Sequence, residues 1–260
     1  MDLSKEFMEK VRPKVGLSMI RLGRKFDGGY VLPELVLSKC KVCISLGYGY
    51  DSSFEYDFLN ISSQNSVHLF DSDINLVHCL KGIFVDIVKI LKKQRSYPMH
   101  RVKELIKYII LRTNPRIQYT VARIGAQTDL NTLSLNQLMF KQNSKSVLLK
   151  IDIEGSEYEV LNHALENLSE VKCLIIEFHE IDTRMIEFLS ILDLIMSEFI
   201  LINTHINNSG KIRLGIPSTL ELCFIRKHLV NQERLLAATE IPSKLDFPCR
   251  PQIPDICFTF

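Results

Sequence analysis

The stretch SVLLKIDIEGSEYEVLNHALENLSEVKCLIIEFH, residues 146–179, reads as strand, turn, helix and strand. An apolar run ends on Asp152, and a second run, 171–179, ends on Glu177, Phe178 and His179. Between them Val160, Leu161, Ala164, Leu165 and Leu168 fall on one face at helical spacing, and Ser156 with Glu159 has the spacing of a capping box. Strands that are apolar throughout, without alternation, are those covered on both faces. The stretch therefore predicts a βαβ unit in a parallel sheet.

The same pattern extends outward. Strands are predicted over 41–47 (KVCISLG), 66–71 (SVHLFD), 117–125 (IQYTVARIG), 146–152, 171–179, 199–205 (FILINTH) and 220–226 (LELCFIR). The last two are separated only by a turn-rich connection containing Asn207, Asn208, Ser209 and Gly210, which predicts an antiparallel pair. The expected fold class is α/β: a seven-stranded, mostly parallel sheet with an antiparallel last strand and helices on both faces. A single domain is expected, with an N-terminal cap (1–40), a core (41–226) and a C-terminal strap (227–260) stiffened by Pro242, Pro248, Pro251 and Pro254.

Residues 81–112 exceed what one crossover needs and predict a helical insertion, two amphipathic helices broken near Pro98. The insertion carries Lys81, Lys89, Lys92, Lys93, Arg95, Arg101, Lys103, Lys107 and Arg112 against Asp86 and Glu104. Two readings stand: a solvated outer face, or a surface for an anionic acceptor or membrane headgroups.

With 46% hydrophobic and 24% charged residues over 260 positions, the composition excludes disordered and fibrous classes. A net charge of +2 gives no overall nucleic-acid footprint. No apolar run reaches the roughly 18–20 residues that span a bilayer; FLSILDLIMSEFILI (188–202) is broken by Asp193 and Glu198. The opening MDLSKEFMEKVRPK has no apolar signal region, so a cytoplasmic location is expected, or a lumenal or membrane-associated one if an anchor precedes it. Seven cysteines, with Cys43, Cys173 and Cys223 inside predicted strands, read as buried reduced thiols. Cys40 and Cys43 form a C-x-x-C with no partner pair at zinc spacing, and read as structural.

Two segments suggest a ligand loop. In ISLGYGYDSSFEYDF (44–58) an apolar strand runs into Gly47 and Gly49 and then a helix-compatible stretch, so the backbone can approach a ligand closely. The third glycine of G-x-G-x-x-G is missing, which argues against a nicotinamide dehydrogenase. Asp51 and Glu55 could add acceptors to that ligand, or serve as charges favoured at a helix N-terminus. In HLFDSD (68–73) Asp71, with Asp73 in reserve, sits at a strand tip some twenty residues on, where a ribose diol is held; a helix cap is the plainer reading.

Ligands of open α/β sheets bind beyond the carboxyl ends of the strands. Asp152 and Glu154, Glu177 and His179, and His205 with Asn207 all lie at such ends. Asp152, His179 or His205 could take a proton in catalysis. A divalent cation (Mg²⁺, Mn²⁺ or Zn²⁺) held by Asp152, His179 and His205, with Glu177 as a further donor, would instead lower the pKa of a bound hydroxyl. Structural histidines and turn-forming asparagines remain the plainer alternatives.

The segment LLKIDIEGSEYEVL (148–161) resembles the signature of FkbM-type methyltransferases, and the likeness covers roughly residues 21–226. It takes in RLGRKFDGGYVLP (21–33), the G-x-G loop, Asp71, the EFH after the fifth strand, the THINN turn and PSTLELCFIR (217–226). The resemblance implies a Rossmann-like fold, S-adenosylmethionine as donor, and O-methylation of a sugar, glycan or small hydroxylated acceptor. Gly47, Gly49, Asp51, Glu55, Asp71, Asp152 and Glu154 would then hold the cofactor. Asp27, Tyr30, Glu177, Asn207, Asn208 and Glu221 would face the acceptor. The alternatives are an RNA-directed methyltransferase using the basic insertion, and a catalytically inactive binding module of the same fold.

Overall fold

In the computed structural model, seven apolar runs form one sheet: β1 Val42–Leu46, β2 Ser66–Asp71, β3 Ile117–Val121, β4 Val147–Ile151, β5 Val171–Phe178, β6 Phe199–Ile206 and β7 Leu220–Arg226. The structure describes residues 3–49, 51–72, 84, 85, 88, 105, 106, 109–128, 132–142, 146–164 and 168–260. The spatial order is β6-β7-β5-β4-β1-β2-β3. The pairs from β5 through β4, β1 and β2 to β3 are parallel, while β7 runs antiparallel to both β5 and β6. This is the expected Rossmann-like α/β arrangement.

Helices α1 Ser53–Ile61, α2 Leu135–Gln142, α3 Glu157–Asn162 and α4 Met185–Glu198 follow β1, β3, β4 and β5. Successive strand residues enter opposite cores. Leu149, Ile44 and Leu174 join Tyr158, Phe178 and Phe188 in one cluster, while Leu148, Cys43 and Ile175 join Phe54 and Phe58 in the other. Both faces are thus apolar, which explains the unbroken runs.

Three details depart from expectation. The run 117–125 is split: β3 ends at Val121, and Arg123–Gly125 leave the sheet to pair in parallel with Thr132–Ser134. Helix α3 ends at Asn162; of the face predicted beyond it, Ala164 and Leu168 are buried outside the helix, and Leu165 lies outside the described residues. Ser156 is the N-cap but makes no side-chain cap bond, and the Ser156–Glu159 box does not form. Most of the basic insertion, with Asp73, lies outside the described residues; within it, Arg112 donates to the Tyr119 carbonyl at 3.1 Å. Cys40, Cys43, Cys173, Cys223 and Cys249 are buried free thiols. Among the described residues no helix is long and apolar enough to cross a membrane.

The chain travels outward from β1 to β2 and β3, then returns to lay β4 on the other side of β1. That reversal opens a crevice at the carboxyl ends of β1 and β4. Before β1, an antiparallel hairpin, Met19–Leu22 with Tyr30–Pro33, brings its Asp27-Gly28-Gly29 turn to the same end.

Candidate active site

Gly47 ends β1 in the left-handed region, at φ 88°. A Cβ there would overlap the Asp152 carbonyl, so only glycine lets the two strand ends close on each other. Asp71 at the tip of β2 accepts the Tyr48 backbone N–H at 2.8 Å and fixes the loop. At Gly49, also at positive φ (54°), an added Cβ would meet nothing within 4 Å among the described residues and would stand in open cavity. This first cavity, of about 320 Å³, is lined by Gly47, Gly49, Phe70, Asp71, Ala122, Ile124, Asp152, Glu154 and Ser156. Its volume falls in the lower range of small-molecule sites.

The turn after β4 is held from within. Glu154 (φ 53°) and Gly155 (φ 99°) both take the left-handed conformation. The buried Glu157 carboxylate accepts the backbone N–H of Ile153 at 3.1 Å and of Gly155 at 3.0 Å, and reaches His179 Nδ1 at 3.1 Å. Glu157, not Glu159, thus holds the turn before α3, and it orients the histidine.

A second cavity, of about 330 Å³, adjoins the first and shares Gly49, Asp152 and Glu154 with it. Arg24, Asp27, Asp51, Lys150, Glu177, His179, Asn207 and Thr219 complete its polar lining. The Tyr30 hydroxyl lies 3.1 Å from Asp152 Oδ2 and 3.2 Å from Glu177 Oε2, so its one proton bridges them. Asn207 Nδ2 donates to Glu177 Oε1 at 2.8 Å. Lys150, charged in the middle of a buried strand, donates to the Gly47 carbonyl at 3.2 Å and lies 3.9 Å from Asp152 Oδ2.

The charges are mutually dependent. Burial, then the nearby Asp152 and Glu221 charges, push Glu177 well above the usual carboxylate range. Burial opposes a charged His179, but the Glu157 hydrogen bond and the Glu177 charge outweigh it and raise the ring to about 9. Burial likewise opposes the Lys150 ammonium, and Glu55, Asp152 and Glu177 more than offset it, holding its pKa above the ordinary value. At neutral pH the His179 ring and the Lys150 ammonium join the Arg24 guanidinium as cations among carboxylates.

Gly47, Gly49, Asp71, Asp152 and Glu154 come together at the first cavity, and Asp27, Glu177, His179 and Asn207 at the second. Tyr30 sits beneath the second cavity and braces its carboxylates. Several predicted residues lie elsewhere. Asp51 lines the second cavity instead of the first, 3.3 Å from Arg24. Glu55 faces the sheet, fully buried, and accepts Ser45 Oγ at 2.5 Å. His205 lines neither cavity: it is held between Glu221 at 2.9 Å and Asp255 at 3.1 Å. Asn208 turns the other way and donates to the carbonyls of Arg250 and Ile253. The proposed metal set therefore splits: Asp152 and His179 gather with Glu154, and His205 gathers with Glu221 and Cys249.

Sequence reasoning missed Lys150, Glu157 and Arg24. A lysine inside LLKID carried a signal, since a charge within a run buried on both faces requires a partner.

Solved structures with some likeness share little sequence. The Methanococcus jannaschii fibrillarin pre-rRNA processing protein is 10% identical, with TM-score 0.40 over 74% of this chain and 68% of that one. A Plasmodium falciparum dimethyladenosine transferase is 10% identical (TM-score 0.41, 90% and 66% covered), and a Clostridium thermocellum putative rRNA-methylase is 10% identical (TM-score 0.39, 74% and 92% covered). At these values the likeness says nothing of substrate. No curated protein matches the chain. The methyltransferase FkbM domain matches residues 48–199, more than half of the sequence and the part that carries Gly49, Asp71, Asp152 and His179; the chain belongs to the FkbM methyltransferase family.

Proposed function

We propose that the protein transfers a methyl group from S-adenosylmethionine to a hydroxyl oxygen of a sugar or similar hydroxyl-rich acceptor. The observation carrying this is the junction of the two cavities at Gly49, Asp152 and Glu154. One cavity suits a nucleoside: a glycine-lined backbone, an acid at the tip of the second strand, and apolar Ile124 and Phe70. The open space at Gly49 fits such a ligand. When bound, S-adenosylmethionine supplies an electrophilic methyl group. Asp71 would hold its ribose hydroxyls.

The second cavity is dominated by carboxylates, amide and hydroxyl groups, the lining that hydrogen-bonds a molecule with many hydroxyls. Protonated His179 is a hydrogen-bond donor and not the base at neutral pH. The proton of the acceptor hydroxyl passes instead to Asp152, which lies on the junction and is steadied by Tyr30 and Lys150. Glu177, braced by Asn207 and Tyr30, orients the acceptor.

The test is incubation with methyl-labelled S-adenosylmethionine and a panel of neutral sugars, amines and thiols, with products fragmented by mass spectrometry. Label on an ether oxygen is expected; label confined to nitrogen or sulfur contradicts the reading. Asp71→Ala is expected to weaken S-adenosylmethionine binding by about 1–3 kcal/mol, as for a lost charged hydrogen bond. Calorimetry checks this, and unchanged affinity removes Asp71 from the donor site.

His179 also links stability to pH. Its folded pKa, about 9, is above the ordinary histidine value. The stabilisation is therefore complete below that ordinary value and is lost as pH climbs through about 9. Melting temperature should fall by several degrees across that alkaline window in the native chain, and less in His179→Gln. Parallel declines in both would show that His179 is not the group responsible.

A further inference from the structure

We propose that His205, Glu221 and Cys249 form a buried binding site for a zinc-class divalent cation, with a water as fourth ligand, that fastens the C-terminal tail to the sheet. The three residues line neither cavity, and Glu221 stands beside Glu177 across the β5–β7 pairing.

His205 on β6 and Glu221 on β7 are direct cross-strand partners, so their side chains leave the same face of the sheet. Cys249 comes down on them from the tail. Their relative exposures are 1%, 5% and 7%, so all three side chains are buried. One ligand atom from each lies within 4.8 Å of the others. Glu221 Oε2 is 2.9 Å from His205 Nδ1, and Cys249 Sγ is 3.0 Å from Glu221 Oε1. Ligand atoms around a tetrahedral zinc ion, with bonds of about 2.0–2.3 Å, stand roughly 3.3–3.6 Å apart. The two contacts to Glu221 are shorter than that, so both have to lengthen to admit the ion.

The donor chemistry selects the metal. Sulfur, imidazole nitrogen and one carboxylate suit zinc, whereas magnesium and calcium take oxygen ligands. The second ring nitrogen of His205 is 3.1 Å from Asp255 Oδ1. A carboxylate there fixes the tautomer that presents the other nitrogen to a metal. Binding forms metal–nitrogen, metal–oxygen and metal–sulfur bonds and releases the thiol proton and the Nδ1 proton to solvent. The cation then compensates the thiolate and the Glu221 carboxylate, charges that are costly to bury alone. The C-x-x-C of Cys40 and Cys43 takes no part; the ligands are brought together by the fold.

The full-length protein, purified without a metal-affinity tag, is analysed by plasma mass spectrometry, then stripped and titrated with Zn²⁺ or Co²⁺. The expected result is close to one equivalent of zinc per chain, a lower melting temperature and faster proteolysis of the tail after chelation, and a thiolate-to-cobalt absorption band in the Co²⁺ form. Cys249→Ser should lose that band and Cys257→Ser, at an exposed position, should keep it. The proposal is overturned if the folded native chain neither retains zinc nor develops the band with Co²⁺, or if Cys249→Ser retains it. Should Cys249→Ser not fold, the native chain decides: a melting temperature indifferent to chelation overturns the site.

Discussion

Asp152→Asn is expected to lower kcat by about 10²–10⁴-fold, the scale of a lost general base, while donor binding survives. The side chain stands where the two cavities meet, and asparagine preserves its size and its acceptor for the Tyr30 hydroxyl. What asparagine lacks is the ability to take a proton. Single-turnover kinetics with the acceptor saturating would isolate the chemical step from binding. A variant retaining more than about a tenth of native kcat would show that the proton goes elsewhere. His179→Gln is the useful comparison: it removes the imidazolium but leaves the Asp152 carboxylate in place, so its loss should fall mainly on KM for the acceptor.

Lys150→Met should destabilise the fold by about 3–5 kcal/mol, the range seen when one partner of a buried charge cluster is removed. The ammonium is buried and serves Glu55 behind the sheet and Asp152 and Glu177 at the rim. Methionine fills the space of the stem and leaves those carboxylates uncompensated. For a chain of this length the melting temperature should drop by on the order of 10 °C. Adding Glu55→Gln to Lys150→Met should restore part of the loss, because Glu55 is the lysine's strongest charge partner and its Oε2 has no hydrogen-bond partner among the described residues. A single variant within about 1 kcal/mol of the native chain would mean the carboxylates simply take up protons at little cost.

The sheet was legible because burial on both faces turns each strand into an apolar run, and a turn-only link betrays the antiparallel pair. The exit of the chain at Val121 was not, since apolar residues continue through Ile124 and nothing local marks where pairing stops. At the site, position along a strand told how near the rim a residue lies, but not to which side it points. Asn207 and Asn208 show this: the first bonds Glu177 and the second bonds the tail. His205 has the parity of Asn207, and Glu221 is the register partner of Glu177, yet both bond the tail; alternation alone does not separate them from the site residues. Their partners Cys249 and Asp255 lie too far along the chain for any spacing rule to connect them. Glu55 and Glu157 are first-turn helix acids by sequence. Only packing shows that one is buried under the sheet and the other organises the turn after β4.

The most direct measurement is a crystal structure with S-adenosylhomocysteine bound. The nucleoside should lie between Gly47, Asp71 and Ile124, with its ribose on Asp71 and its sulfur facing Asp152 across the junction into the second cavity. Density for the nucleoside away from that crevice, or a sulfur turned away from Asp152, would contradict the account.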